Sequence, residues 1–77
     1  MSTATSPYLL AEDVAARLHV SMRTVHELTR TGGIPHRRLP GTRRVLFLEA
    51  ELRAWEDGAD LVAQMLPRGG RVVRPRT

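Results

Sequence analysis

Near the start of the chain, apolar and polar positions alternate with the period of an α-helix. Val14 and Leu18 stand four residues apart, so residues 11–18 predict a first helix with one apolar stripe facing a core. Glu12 and Asp13 fall in its first turn, where the helix dipole favours anions. A short amphipathic helix of this kind needs a second element to cover its apolar side.

A second helix is predicted directly after the first. Ser21 is a good N-cap, and Val20 and Val25 stand on either side of it at the positions of a hydrophobic staple. The helix is expected over residues 22–31, with Gly32 as its C-terminal stop. Two short helices joined by about three residues predict a helix-turn-helix.

The next segment has the pattern of a β-hairpin. Residues 34–39 and 44–47 read as two short strands around a turn at 40–43, which contains the dipeptide Pro-Gly. Val45 and Phe47 alternate onto one face, as a half-buried strand requires. Following a helix-turn-helix, this hairpin is predicted to form a wing.

A third helix is predicted from about Glu49. An apolar repeat with spacings of four and three continues to Pro67, although Gly58 offers an earlier end to the helix. Its members are Leu48, Leu52, Trp55, Ala59, Val62 and Leu66. Trp55 is expected to be the large anchor of the core, with an exposed platform for stacking bases as the alternative. The apolar stripe beyond Gly58 is expected to contact a partner protein, either a neighbouring copy on DNA or an integrase. The alternative is that this extension folds back over its own core or frays after Gly58.

These elements predict one domain that is mainly α-helical with a small β-hairpin. The expected boundaries are a disordered lead at 1–7, a winged helix-turn-helix at 8–57, a helical extension at 58–66 and a disordered basic tail at 67–77. With 77 residues, the chain is too short for a second domain or a deep substrate pocket with walls of its own.

Charge is unevenly distributed along the chain. All twelve cationic residues are arginine, and the net charge is +5 over residues 21–47, −4 over 48–60 and +4 over 61–77. Codon bias in a GC-rich genome could account for the absence of lysine, whereas arginine's planar fork also suits phosphates and guanine edges. The clustering indicates a polyanionic partner, and double-stranded DNA is the expected one.

Other classes of function find little support. The chain has no cysteine and no apolar run of membrane-spanning length, and its first residues lack the pattern of a signal peptide, so a cytoplasmic protein without a membrane partner is expected. His19, His26 and His36 have no spacing typical of metal ligands. We expect no cofactor, no metal and no catalysis.

The outward face of the second helix is predicted to read DNA in the major groove. Arg23 lies in its first turn, where an arginine can bind a guanine edge with two hydrogen bonds. The predicted contacts from this helix are Ser21, Arg23, Thr24, His26, Glu27 and Arg30. The alternative is an ordinary solvated face with an Arg23–Glu27 ion pair.

Four arginines without an intervening acid mark the predicted wing. Like charges on a two-stranded hairpin repel one another, so a polyanion explains them better than folding does. The predicted wing contacts are Arg37, Arg38, Thr42, Arg43 and Arg44. The tail adds further candidate contacts at Arg68, Arg71, Arg74 and Arg76.

Residues 9–55 resemble the MerR-like winged-helix domain of phage and plasmid excisionases, also called recombination directionality factors. The resemblance lies in EDVAARLHVSMRTVHEL, GGIPHRRLPGTRRVLF and LRAWE, in that order and spacing. It implies a protein that binds and bends an attachment site and helps an integrase to excise a phage or integrative element. A small transcriptional regulator, an acidic-protein binder and an RNA-binding protein remain alternatives.

The sequence departs from the pattern of that family at four positions. Leu10 stands where a Ser or Thr cap is usual, and His19 replaces the usual glycine of the turn, which predicts a positive φ there. Leu46 stands where an outward basic residue is common, and Leu48 replaces a proline. None of these changes removes a residue predicted to face DNA.

Overall fold

The computed structural model describes residues 8–41 and 44–76, so the predicted disordered lead at 1–7 lies outside the described residues. Its helices are α1 (Ala11–Leu18), α2 (Met22–Thr31) and α3 (Glu49–Glu56). Its strands are β1 (Tyr8–Leu9), β2 (His36–Arg38), β3 (Val45–Leu48), β4 (Leu61–Met65) and β5 (Arg71–Pro75).

The helix-turn-helix forms where the sequence predicted it. The bounds of α1 and α2 are those expected, and the Ser21 side chain accepts a hydrogen bond from the Thr24 backbone N–H at 3.1 Å. Val25 is buried and Val20 packs against the same core cluster, as the staple requires.

The three helices of the described residues end in the same hydrogen-bonded arrangement. After α2, Gly32 N–H donates to the Thr29 carbonyl and Gly33 N–H to that of Leu28, and α1 ends likewise around His19. His19 has φ 58°, which confirms the predicted positive φ and places a side chain in the left-handed region that glycine occupies more easily.

The α1 N-terminus lacks a side-chain cap. Leu10 occupies the N-cap position, and no side-chain oxygen accepts from the first turn. The reciprocal bond is present, because Asp13 Oδ2 accepts from the Leu10 backbone N–H at 2.9 Å. The helix therefore keeps one half of a capping box.

The predicted helical extension over 58–66 is wrong. The third helix ends at Glu56, where Gly58 (φ 97°) and Ala59 donate to the carbonyls of Trp55 and Ala54 in the same terminating arrangement. The apolar run that continues the helical spacing forms strand β4 instead. The continuous helical stripe that was expected to bind a partner is therefore absent.

The predicted disordered tail at 67–77 is also wrong over its described residues. The tail turns at 66–70 and returns as β5, which pairs antiparallel with both β4 and β2. The described residues thus form a five-stranded antiparallel sheet in the order β1-β3-β2-β5-β4. A mainly α-helical domain with a small hairpin was expected, whereas three helices here pack with a substantial sheet.

The core lies between the helices and the sheet. Its buried apolar members are Val14, Ala15, Val25, Ile34, Phe47 and Leu52, and Val72 and Val73 are buried on β5. Phe47 is the largest fully buried side chain, whereas Trp55 is only half-buried and packs on the edge of the cluster. The expectation that Trp55 is the large core anchor is therefore wrong.

Candidate nucleic-acid interface

The outward face of α2 is polar and exposed, as its amphipathic pattern predicts. Val25 and Thr29 are buried, and the Thr29 hydroxyl donates to the Val25 carbonyl at 2.8 Å. The six predicted contact residues, Ser21, Arg23, Thr24, His26, Glu27 and Arg30, are all exposed. The helix therefore presents one continuous polar face to a partner.

Arg23 is available on that face. The sequence offered an Arg23–Glu27 ion pair as an alternative to DNA binding, but Glu27 pairs with Arg30 instead. That hydrogen bond from Arg30 holds the pKa of the Glu27 carboxyl below its ordinary value. Among the described residues, Arg23 has no ion-pair partner, and it lies next to the capped N-terminus of the helix, where base contacts concentrate.

The two neighbouring arginines of β2 lie on opposite faces of the sheet. Arg38 is exposed and lines grooves beside α2, together with His26 in one and Arg30 in another. Arg44 is also exposed and lines the groove that contains His26. Thr42 and Arg43, predicted at the hairpin tip, lie outside the described residues.

Arg37 points away from this surface. Its Nη2 donates to Glu51 Oε2 on α3 at 2.6 Å, and both side chains are largely buried. Strand residues alternate between faces, so Arg37 cannot share the side of Arg38. The structure therefore gives Arg37 a structural partner in place of the open position predicted on the wing.

A groove of about 410 Å³ separates α2 from the wing. Its floor includes Phe47, and its walls carry His26, Arg38 and Arg44. Glu12, at the start of α1, is the single acidic residue in its lining. The groove is open, and its charged residues are mostly basic, which suits a segment of phosphate backbone.

The C-terminal arginines have different environments. Arg71 donates to the Thr29 carbonyl at 2.7 Å and contacts His36 Nε2 at 3.2 Å, so it ties β5 to α2. Arg74 is half-buried on β5, beside Ala50 and Glu51 of α3. Arg68 lies exposed in the β4–β5 turn, and Arg76 is exposed at the far end of β5. These four residues do not form one tail surface.

His36 is fully buried at the base of the wing. Its Nδ1 donates to the Ile34 carbonyl at 2.8 Å, which leaves Nε2 to accept from Arg71. Burial lowers the pKa of the imidazole, and the charges of Arg71 and Arg38 lower it further against the effect of the Ile34 hydrogen bond. Within residues 8–41 and 44–76, no three His, Asp or Glu side chains cluster as metal ligands.

Comparison with known families agrees with this geometry. The family model described as Helix-turn-helix domain matches residues 8–59, which include α1, α2, the wing and α3. No curated protein and no solved structure matches the chain. None of the helices in the described part of the chain is long and apolar enough to cross a membrane. The match covers more than half of the sequence, and the protein therefore belongs to the helix-turn-helix domain family of DNA-binding proteins.

Proposed function

We propose that this protein is an excisionase, or recombination directionality factor, that binds a specific attachment site and assists an integrase in excising a phage or integrative element. The protein acts by binding and bending DNA, without catalysis and without a cofactor. The proposal draws on the resemblance of residues 9–55 to the MerR-like domain of excisionases and on the helix-turn-helix family of the chain.

The observation that carries the proposal is the open basic surface around the groove between α2 and the wing. Arg23 on α2 and Arg38 on β2 are both exposed, and in the described residues neither has an ion-pair partner. A helix in the major groove and a wing beside it hold the backbone from two sides. Such a clamp stabilises bent DNA, because the added contacts offset the cost of deformation.

The first test asks whether α2 reads bases. Preferred sites are selected from a random duplex pool, and Arg23→Ala is compared with the wild type on the selected and scrambled duplexes. We expect the variant to lose about 1–3 kcal/mol of binding free energy and its preference at one base pair. The matched control is Arg53→Ala, an exposed arginine on α3 whose guanidinium lies 3.7 Å from Glu49. An unchanged specificity ratio in Arg23→Ala would show that α2 is not the reading helix.

The second test asks for the biological role. Gel mobility with circularly permuted selected sites measures bending, and an excision assay with the integrase of the same genetic element measures directionality. An excisionase bends its site and raises the yield of excision. Binding at a promoter, with no effect on excision, would instead identify a small transcriptional regulator built on the same module.

A further inference from the structure

We propose that the β4–β5 hairpin is a second wing, whose tip binds a backbone phosphate of the same duplex beside the first wing. This inference rests on the proposed DNA-binding surface and extends it to a part of the chain outside the helix-turn-helix match. The hairpin tip is residues 66–70, and Arg68 is its exposed cation. The ligand is a phosphodiester of duplex DNA, bound without base recognition.

Strand register places the two hairpin loops at the same end of the sheet. Arg38 is the last residue of β2 before the first wing loop, and Arg71 is the first residue of β5 after the second loop. These two residues are paired across the antiparallel β2–β5 ladder. Both loops therefore leave the sheet at the same end.

The second tip also touches the base of the first wing loop through its backbone. Gly70 has φ 91°, and a Cβ on it would overlap the Arg38 carbonyl oxygen and lie 3.1 Å from the Pro40 nitrogen. Only glycine permits this approach, since any side chain would force the second tip away from the first. The second tip is thus docked against the base of the first wing loop.

Arg71 fixes the base of the second wing to the recognition helix. Its guanidinium donates to the Thr29 carbonyl in the last turn of α2, at 2.7 Å. The same group contacts His36 Nε2 at 3.2 Å, on the strand next to β5. A rigidly held hairpin loses little further entropy on binding, which favours a direct contact with DNA.

The space between the second wing and α2 has the chemistry of a phosphate site. A groove of about 240 Å³ there is lined by Arg30, Arg38, Met65, Gly70 and Arg71, and this lining contains no acidic residue. Arg68, at the tip of the hairpin, has no hydrogen bond or ion pair with the described residues. Arg30 in this lining pairs with Glu27, whereas Arg38 and Arg71 have no ion-pair partner among the described residues. The guanidinium groups of Arg38 and Arg71 repel each other until an anion is bound.

The experiment measures binding of the full-length protein to a labelled duplex of arbitrary sequence over a series of salt concentrations. Each phosphate contact contributes about 0.9 to the slope of log K against log salt, so Arg68→Ala should make the slope shallower by about 0.9 and weaken binding about 5- to 10-fold at 0.1 M salt. Ethylation interference on a duplex that carries a selected site, where the protein binds in one register, should show the loss of one phosphate contact. Arg53→Ala is the matched control, because Arg53 is exposed on α3 and is not among the predicted DNA contacts.

The outcomes separate this inference from the function on which it rests. Salt-dependent binding by the wild type, with Arg68→Ala weakened and Arg53→Ala unchanged, supports the second wing. Wild-type binding with equal slopes and interference patterns in the two variants overturns the second wing and leaves the helix-turn-helix surface intact. Failure of the wild type to bind any duplex overturns both.

Discussion

Arg37 and Arg38 are adjacent in the sequence, yet they belong to two faces of the sheet with different tasks. On the α3 face, Arg37 donates to Glu51 at 2.6 Å in a largely buried pair. On the α2 face, Arg38 is exposed and has no ion-pair partner among the described residues. Chemically identical side chains thus stabilise the fold on one face and remain available for a ligand on the other.

The difference follows from where the acidic residues lie. Helix α3 carries three glutamates that pair with nearby arginines, and the pairs are Arg17–Glu49, Arg17–Glu56, Arg37–Glu51 and Arg53–Glu49. The bond from Arg17 holds the pKa of the Glu56 carboxyl below its ordinary value. On α2, Arg30 is the one ion-pair partner of Glu27 within the described residues. The excess positive charge of the fold is therefore concentrated beside α2.

The largest predicted effect is on the free energy of unfolding, and it tests whether the second wing is docked closely beside Arg38 on the α2 face. Gly69 and Gly70 share φ 91°, but only a Cβ on Gly70 would meet another part of the backbone. Alanine at either position is strained by about 1–3 kcal/mol. Gly70→Ala should lose about 1–3 kcal/mol more than Gly69→Ala, because the hairpin tip must move away from Arg38. Denaturant unfolding measures the difference, and equal losses would contradict the close docking.

The next prediction is that Arg37 and Arg38 have opposite effects: loss of Arg37 lowers stability, and loss of Arg38 weakens DNA binding. Arg37→Ala should lower the free energy of unfolding by about 1–3 kcal/mol, since it leaves the Glu51 carboxylate unpaired and largely buried. It should change DNA affinity little. Arg38→Ala should keep stability within about 0.5 kcal/mol and make the salt slope of DNA binding shallower by about 0.9.

A double variant checks the physical reason for these opposite effects. Removing both charges, as in Arg37→Ala with Glu51→Ala, leaves no unpaired carboxylate, so it should be more stable than Arg37→Ala alone. If Arg37→Ala and Arg38→Ala instead weaken DNA binding equally with no loss of stability, the two faces do not differ in function.

The sequence predicted elements whose signals are local. Ser21, the Val20–Val25 staple and Gly32 define α2 from neighbouring residues, and the structure confirms these bounds. The β4–β5 hairpin was missed because its apolar spacing also fits a helix. A hairpin signal was present in the turn residues at 67–70 and in the adjacent β-branched pair on β5. The choice between a helix and a hairpin depends on the pairing of β5 with β2, which joins residues far apart in the sequence.

The candidate site was predictable to a similar extent. Helical periodicity assigned the exposed face of α2 correctly, whereas treating the wing arginines as one group overlooked the period-two alternation that separates Arg37 from Arg38. The contacts of Arg71 with Thr29 and His36 join residues far apart in the chain. No local pattern indicates such contacts.

The third prediction uses His36 to probe the positive charge on the α2 face. Burial, followed by the charges of Arg71 and Arg38, lowers the pKa of the folded imidazole below its ordinary value of 6.5. The unfolded chain therefore binds the proton first as pH falls. The contribution of the neutral His36 imidazole to the free energy of unfolding should be fully present above about pH 6.5. It should be lost as the pH falls through the lowered pKa of the folded state.

Denaturant unfolding at several pH values measures how steeply the free energy of unfolding changes with pH. His36→Gln should flatten this dependence near neutral pH, whatever the absolute stability of the variant. His26→Gln is the matched control, an exposed histidine on α2. A slope that is identical in the wild type and in His36→Gln would show that the buried imidazole does not sense the neighbouring guanidinium groups.

The smallest predicted effect tests whether stability and DNA affinity can be changed separately, as the contrast between the two faces requires. His19 ends α1 at φ 58°, where a residue with a Cβ is strained by about 1–2 kcal/mol. Glycine removes that strain but loses about 0.5–1 kcal/mol through its greater freedom in the unfolded chain. His19→Gly should thus raise the free energy of unfolding by about 0.5–1 kcal/mol, and His19→Ala, which keeps the Cβ, should give no gain. DNA affinity should stay unchanged in both variants, because His19 does not line the basic groove between α2 and the wing. A loss of affinity in both would extend the DNA-binding surface to the α1–α2 turn.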